Sequence, residues 1–224
     1  MNRFELTGRA ATHVVELTEP GCRLHAQAAT AYVAMRRAAA ESGHDLVPIS
    51  SFRDFAQQAR IWNEKFRGER PMFDSAGLRL DTAALADDEK VSAILLWSAL
   101  PGASRHHWGS EIDVIDRAAI APDYRPRLLP IEFEPGGPFA PLNAWLDGHM
   151  AEFGFFRPYR TDHGGVRPEP WHLSYAPVAV PALDALTPAV LADALESEEL
   201  SGRDIVLARL PDLHRRYVRG VDSP

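Results

Sequence analysis

The chain has 224 residues, of which 46% are hydrophobic and 25% charged, and this is the composition of an ordinary globular protein. Its net charge of −7 argues against a nucleic-acid-binding protein, which would carry a basic surface. The single cysteine, Cys22, excludes an intrachain disulfide framework and a zinc site made of several thiolates. No apolar run approaches the roughly 18 residues of a membrane span, and the N-terminus shows no segment of signal-peptide type. We therefore expect a cytoplasmic protein, or a periplasmic one if a leader has been removed.

The first half of the chain combines helical patterns with one extended segment. Apolar residues at helical spacing, ended by Gly43, predict a long amphipathic helix. The segment 46–50 predicts a strand, and Asp54 can cap the helix that follows it. The predicted elements are a helix over 21–42, a strand over 46–50, a helix over 55–66, a polar connection over 68–86 and a helix over 87–98.

The second half places two predicted strands around a long excursion rich in proline and glycine. Long loops of this kind in compact domains are often functional. Gly154 ends the helix that follows the excursion, and Thr187 can cap the first helix of the tail. The predicted elements are a strand over 112–116, the excursion over 117–141, a helix over 142–153, a strand over 171–175 and a helical tail from 187.

The order of these elements indicates the fold class. Helices and short strands follow one another without a regular βαβ alternation, which favours an α+β fold. The helical tail comes after the final strand and has the character of an appendage. We therefore expect one domain over 1–180, including the N-terminal helix, and a C-terminal helical extension over 181–224.

A first chemical motif lies at the start of the strand over 112–116. His106 and Asp113 are seven residues apart, and Gly109 between them permits a sharp turn. An aspartate that opens an apolar strand is costly to bury without a partner. A bound metal ion would supply the missing positive charge.

A second motif, Glu169-Pro-Trp-His172, follows about sixty residues later. The two motifs together offer two histidines, one carboxylate ligand and one spare glutamate. A catalytic zinc site needs three protein ligands, a fourth position for water and a nearby base. Zinc makes its water acidic and polarises a carbonyl, and a glutamate can carry the proton to the leaving amine. The sequence therefore predicts a zinc hydrolase.

These motifs resemble those of a known peptidase family. Ser104-x-His106-x-x-Gly109-x-x-x-Asp113, followed by Glu169-Pro-Trp-His172, resembles the VanY-type D-alanyl-D-alanine carboxypeptidases, zinc peptidase family M15. Two further segments are similar to the family's, and the resemblance covers about residues 46–176. The further segments are Ser51-Phe-Arg53 with Gln58, and Trp145 through Phe153-Gly-Phe155.

The resemblance implies a small α+β domain whose antiparallel sheet bears the metal. It implies that His106, Asp113 and His172 bind Zn²⁺ and that Glu169 is the general base and acid. Arg53 would bind or polarise the substrate near the reacting peptide, which suits the planar guanidinium. Glu111 stands where many family members have a small residue, and we do not expect it to be a ligand. Ser104 and Gln58 would line the substrate pocket, and Trp171 is a candidate for its wall.

The expected reaction is hydrolysis of the terminal D-alanine from a peptidoglycan stem peptide or muropeptide by metal-activated water. The family favours D,D-cleavage, whereas a cytosolic substrate such as a recycled fragment would require L,D-cleavage. Two alternatives remain open: an L-alanyl-D-glutamate endopeptidase, and a zinc-stabilised binding module without turnover, since the scaffold also resembles the Hedgehog signalling domain. The spare Glu169 weighs against the binding module, because a structural zinc site usually closes its fourth position. Neither a nucleic-acid partner nor a membrane span is expected, and the oligomeric state and native metal stay open.

Overall fold

The computed structural model describes residues 1–196 and 199–224, and its centre is a small antiparallel β-sheet between two groups of helices. The strands are β1 (Val14–Leu17), β2 (Cys22–His25), β3 (Leu46–Ser50), β4 (Glu111–Asp116), β5 (Phe155–Phe156) and β6 (His172–Tyr175). The α-helices are α1 (Arg3–Leu6), α2 (Ala26–Glu41), α3 (Phe55–Phe66), α4 (Asp87–Leu95), α5 (Ala140–His149), α6 (Ala176–Ala185), α7 (Pro188–Glu196), α8 (Arg203–Ala208) and α9 (Leu210–Leu213).

Four strands form the central sheet in the order β3-β4-β6-β5, and every neighbouring pair is antiparallel. β1 and β2 form a separate antiparallel hairpin. Within the central sheet, Asp113 of β4 lies opposite His172 of β6 and opposite Ser50 of β3. The register of the sheet thus brings together residues that are far apart in the sequence.

The two faces of the sheet have different partners, because side chains alternate along a strand. Ile112, Val114 and Leu173 face a cluster in which α2 and α5 cover the sheet, and none of the three is exposed to solvent. Glu111 and Asp113 share the opposite face. One face of β4 is therefore apolar core, while the other carries the carboxylates.

A second hydrophobic cluster joins α3 and α4 to the helices of the tail. Trp62, Val91 and Leu191 are fully buried in it, and the Trp62 indole donates a hydrogen bond to the Ser201 carbonyl at 2.9 Å. The side chain of Asp222 accepts hydrogen bonds from the backbone of Arg160 and Thr161, at 2.9 and 2.8 Å. The tail is therefore packed against the rest of the fold, and a division into two domains at residue 180 stays a prediction.

Several predicted elements are confirmed in the structure. The strand over 46–50 has the expected bounds, and the strand expected over 112–116 begins one residue earlier. α3 spans the predicted range, and Asp54 caps it in a capping box with Gln57. The Thr187 hydroxyl accepts a hydrogen bond from the backbone of Val190 at 3.3 Å, as a capping residue does. The α+β class and the small antiparallel sheet are likewise as expected.

The predicted helix over 21–42 is wrong at its start. Residues 22–25 form β2, and the helix begins at Ala26 after the cap residue His25. Cys22 and Leu24 are buried while Arg23 between them is exposed, which is the alternation of a strand rather than the period of a helix. Because the alternation covers only residues 22–25, these residues were assigned to the longer helical pattern that follows them.

Two other helices differ at their ends, and two helices, α1 and α6, were not predicted. The helix expected over 87–98 ends at Leu95, and the helix expected over 142–153 begins at Ala140 and tightens into a 3₁₀ turn over Met150–Phe153. α6 contains Pro181 in its interior, and proline ordinarily argues against a helix. In the part of the chain that the structure describes, no single helix is long and apolar enough to span a bilayer; only α6 and α7, bent by 78°, meet that test as a pair.

Candidate active site

A 3₁₀ turn over Arg105–Trp108 presents His106 to the carboxylate-bearing face of the sheet. Gly109 ends this turn with φ of 66°, a left-handed conformation that favours glycine. A Cβ at this position would lie 2.6 Å from the backbone nitrogen of His25. Glycine is therefore required both for the turn into β4 and for the close approach of β2.

We expect Gly109→Ala to lower the free energy of unfolding by about 2 kcal/mol or more, because a side chain there adds backbone strain to a steric clash. Chemical denaturation with a metal chelator present measures the protein without any contribution from metal binding. Gly148→Ala is the matched control, since Gly148 lies in α5 with open space around it and should tolerate alanine. Equal stability of Gly109→Ala and the unaltered protein would contradict this prediction.

The structure brings the three predicted metal ligands together in a buried cluster. His106 Nε2 lies 3.4 Å from Asp113 Oδ2, and His172 Nδ1 lies 3.0 Å from Asp113 Oδ1. One ligand atom from each residue lies within 4.8 Å of the others, and all three side chains are buried. Across residues 1–196 and 199–224, no other set of three or more such side chains meets this test.

The donor atoms of this cluster suit a cation. Asp113 Oδ1 is buried without a hydrogen-bond partner, which is costly unless a positive charge faces it. Two imidazoles and one carboxylate are a ligand set typical of Zn²⁺. The cluster therefore fits the expected metal, which His106, Asp113 and His172 would hold.

Hydrogen bonds on the far side of each imidazole fix which nitrogen faces the cluster. His106 Nδ1 lies 2.8 Å from the Ser51 carbonyl, which can only accept, so Nδ1 carries the proton. His172 Nε2 lies 2.7 Å from Glu111 Oε2, and this nitrogen donates in the same way. His106 Nε2 and His172 Nδ1 are left with free lone pairs, as metal ligands require.

Glu111 holds its position through a buried network that spacing alone could not predict. Ser110 and Ser174 donate to Glu111 Oε1 at 2.9 and 2.7 Å, and Arg105 Nε lies 3.4 Å from Oε2. Burial alone would raise the pKa of Glu111. The charge of Arg105 and the hydrogen bond from His172 outweigh burial and lower this pKa to about 2. Glu111 is therefore an ionised acceptor for His172 rather than a member of the metal cluster, in line with the expectation that it is not a ligand.

Glu169 lies beside the cluster, and no residue described in the structure donates a hydrogen bond to its carboxylate. Glu169 Oε2 is 3.4 Å from His172 Nδ1, and the Glu169 carbonyl accepts a hydrogen bond from the His172 backbone at 3.2 Å. Burial raises the pKa of Glu169 to about 7, and the negative charge of Asp113 acts in the same direction. A carboxyl group with such a pKa can both take up and release a proton near neutrality.

Arg53 lies next to the cluster, and its position depends on Gln58. The Arg53 backbone donates to the His106 carbonyl at 3.2 Å, and its guanidinium donates to Gln58 Oε1 at 2.7 Å and to Ser50 Oγ at 3.0 Å. Gln58 was expected to line the pocket. Instead Gln58 is fully buried and does not line the cleft. Its amide oxygen accepts from Arg53, and its amide nitrogen donates to the Ala99 carbonyl at 2.6 Å.

A cleft of about 280 Å³ opens beside the cluster. Ser104 and Trp171 line it as expected, and Trp171 also packs against Phe133 in a small core cluster. Sequence reasoning missed several lining residues, because they are not themselves positions that the motifs specify. They include Lys65, Trp97, Ser98, Arg105, Leu128 and Tyr159.

His107, next to the metal ligand His106, has a structural role. Its Nδ1 donates to the Arg53 carbonyl at 2.6 Å, and its Nε2 accepts from the Gly102 backbone at 3.1 Å. Burial lowers the pKa of His107 to about 3, so the ring is neutral. His107 thereby fixes the backbone that carries Arg53.

Comparison with known proteins agrees with this site. The family model described as "D-alanyl-D-alanine carboxypeptidase", VanY, matches residues 21–178. One uncharacterized protein of Haemophilus influenzae is 47% identical over 98 residues, which are 42% of this chain and 67% of that relative. A second uncharacterized protein of the same organism is 35% identical over 126 residues, 53% of this chain and 92% of the relative.

Two solved structures share the fold. A variant of the vancomycin-resistance D,D-pentapeptidase VanY, solved in complex with Zn(II), is 22% identical with a TM-score of 0.51, covering 74% of this chain and 81% of its own. VanYB in complex with D-alanine-D-alanine is 22% identical with a TM-score of 0.53, covering 83% of this chain and 89% of its own. The prediction of a zinc cofactor is confirmed by the family and by the fit of the buried cluster. The chain belongs to the VanY-type D-alanyl-D-alanine carboxypeptidases, which are metallopeptidases of family M15.

Proposed function

We propose that this enzyme is a zinc-dependent carboxypeptidase that removes the terminal D-alanine from a peptidoglycan stem peptide or muropeptide. The observation that carries the proposal is the buried cluster of His106, Asp113 and His172, with Glu169 beside it in an open cleft. The complex of VanYB with D-alanine-D-alanine supports the substrate class by similarity of fold.

The protein side of the proposed reaction follows from this geometry. When bound, zinc supplies Lewis-acid chemistry that polarises a carbonyl and makes water a stronger acid. Glu169 takes the proton of the attacking water and delivers it to the nitrogen of the leaving D-alanine. Its pKa of about 7 suits both transfers, because neither protonation state is strongly favoured near neutrality.

Arg53 acts on the reacting peptide from the wall of the cleft. Its guanidinium lines the cleft and is held by Gln58 and Ser50, so it is already oriented before substrate binds. A fixed cation beside the cluster stabilises the negative charge that develops on the carbonyl oxygen during attack. Ser104 lines the same cleft and offers a hydroxyl to the substrate.

Release of D-alanine from defined muropeptides tests the proposal. We expect the zinc-loaded enzyme to release D-alanine from a pentapeptide, which requires D,D-cleavage, or from a tetrapeptide, which requires L,D-cleavage. Chelation should abolish release, and added Zn²⁺ should restore it. The identity of the cleaved peptide fixes the specificity that the sequence leaves open.

The other outcomes of the same digest separate the alternatives. Cleavage inside the stem, without free D-alanine, would indicate the endopeptidase. Stoichiometric zinc with no cleavage of any stem peptide would favour the non-catalytic binding module. Either result would contradict the proposed carboxypeptidase activity.

A further inference from the structure

Lys65 places a positive charge in the cleft that no motif of the sequence explains. It lies in the last turn of α3, and its Nζ donates a hydrogen bond to Ser98 Oγ at 2.6 Å. Both residues line the cleft. Among the described residues, no carboxylate forms an ion pair with Lys65, whereas Lys90, the other lysine of the chain, pairs with Asp87 at 2.9 Å.

A largely buried ammonium group without a carboxylate in direct contact is costly for the folded protein. Burial lowers the pKa of Lys65 to about 8, although the negative charge of Glu169 opposes this effect. An ammonium carries three donors, and the Ser98 hydroxyl accepts only one of them. An anion that enters the cleft would supply both the missing charge and the missing acceptors.

The position of Lys65 relative to the cluster limits which anion this can be. Lys65 and Gln58 lie seven residues apart on one face of α3, and they bond the neighbouring residues Ser98 and Ala99 of the cleft wall. Arg53, which Gln58 holds, lies at the end of this row beside His106. One wall of the cleft thus carries two cations, with Arg53 next to the metal cluster and Lys65 farther along.

We propose that Lys65 and Ser98 form the subsite that binds the free C-terminal carboxylate of the substrate. This inference rests on the proposed function, because it takes the carbonyl under attack to lie between the metal cluster and Arg53. A carboxypeptidase substrate presents one negative charge just beyond the cleaved bond, whereas a continuous chain presents a neutral amide there. Lys65 would therefore make the cleft select chain ends and disfavour endopeptidase cleavage.

The presence of only two lysines in the chain allows a direct test. Protein labelled with ¹⁵N at lysine should show two side-chain ammonium signals, and Lys65→Met identifies the one from Lys65. The probes are N-acetyl-D-alanyl-D-alanine and N-acetyl-L-alanyl-D-alanine, each as the free acid and as the C-terminal amide. With zinc-loaded Glu169→Gln protein, which prevents turnover, we expect at least one acid to shift the Lys65 signal while both amides leave it in place. The Lys90 signal serves as the internal control.

Binding of the same probes to further variants completes the test. Lys65→Met should weaken binding of the acid at least tenfold and leave binding of the amide within twofold, while Lys65→Arg should recover part of the loss. Lys90→Met should change neither. An unmoved Lys65 signal on binding of the acid, or an undiminished preference for the acid in Lys65→Met, would overturn the subsite.

Turnover distinguishes failure of the subsite from failure of the proposed function. If the unaltered enzyme releases D-alanine but the Lys65 signal does not respond to the acid probes, the assignment of the subsite is wrong and the carboxypeptidase activity stands. If no D-alanine is released from muropeptides but an acid probe still shifts the Lys65 signal, the subsite stands and the carboxypeptidase is wrong.

Discussion

Glu169→Gln should lower kcat by about 10²–10⁴-fold, which is the range contributed by a positioned general base. Glutamine has the shape of glutamate but cannot accept the proton of water, so the chemical step loses its base while the cleft keeps its form. The substitution also removes a carboxyl group whose pKa is raised by burial. We therefore expect unchanged or slightly higher stability, together with an unchanged zinc content.

Steady-state release of D-alanine, zinc analysis and chemical denaturation measure these three quantities. Glu152→Gln is a matched control, because Glu152 is exposed and lies in the turn that follows α5. It should leave kcat unchanged. Turnover by Glu169→Gln at the rate of the unaltered enzyme would exclude Glu169 as the base.

Glu111→Ala should weaken zinc binding by about 10–100-fold, the usual cost of losing a residue that orients a metal ligand. It removes the acceptor of His172 Nε2, so that the imidazole is no longer held with Nδ1 toward Asp113. It also leaves the buried guanidinium of Arg105 without its carboxylate. Breaking a buried ion pair from one side costs about 3–5 kcal/mol, and we expect a loss of stability of this order.

Competition with a chromogenic chelator measures the zinc affinity, and denaturation of the metal-free protein measures the stability. Glu111→Gln is the informative companion, because its amide oxygen can still accept from His172 while its charge is lost. We expect it to keep more zinc affinity than Glu111→Ala but to lose stability through the unpaired Arg105. Zinc affinity of Glu111→Ala equal to that of the unaltered protein would show that Glu111 does not position His172.

The identities of the central residues could be predicted from sequence, but their contacts could not. The motifs resemble those of a known family, and they contain His106, Asp113, Glu169 and His172. The two segments lie about sixty residues apart, and only this resemblance indicated that they belong to one site. The structural reason for their meeting is the pairing of β4 with β6, which places Asp113 opposite His172. Nothing in the local pattern of either strand specifies that pairing.

The residues that sequence reasoning missed act through tertiary contacts. Glu111 deviates from the family pattern, and only the fold shows that its carboxylate meets His172 across the sheet. Lys65 lies at the polar end of an ordinary amphipathic helix, where a lysine usually extends into solvent. Its place in the cleft depends on Ser98, which lies just after α4 and more than thirty residues beyond Lys65 in the sequence. Such contacts become visible only when the packing of separate elements is known.

Asp222 connects the C-terminal tail to the loop that carries Glu169. Its carboxylate holds the backbone of Arg160 and Thr161, and its own amide donates to the Pro158 carbonyl at 2.9 Å. These residues lead directly into the loop that ends at Glu169. Asp222 therefore anchors the start of the segment that leads to Glu169. The other end of that segment is held separately. The backbone of Arg167 donates to the Leu96 carbonyl at 3.0 Å, and that of Glu169 donates to the Tyr159 carbonyl at 2.9 Å. The segment that carries the proposed proton carrier is thus anchored at one end by the C-terminal tail and at the other by the cleft wall, so a disturbance of the distant tail reaches the reaction centre through a short stretch of backbone.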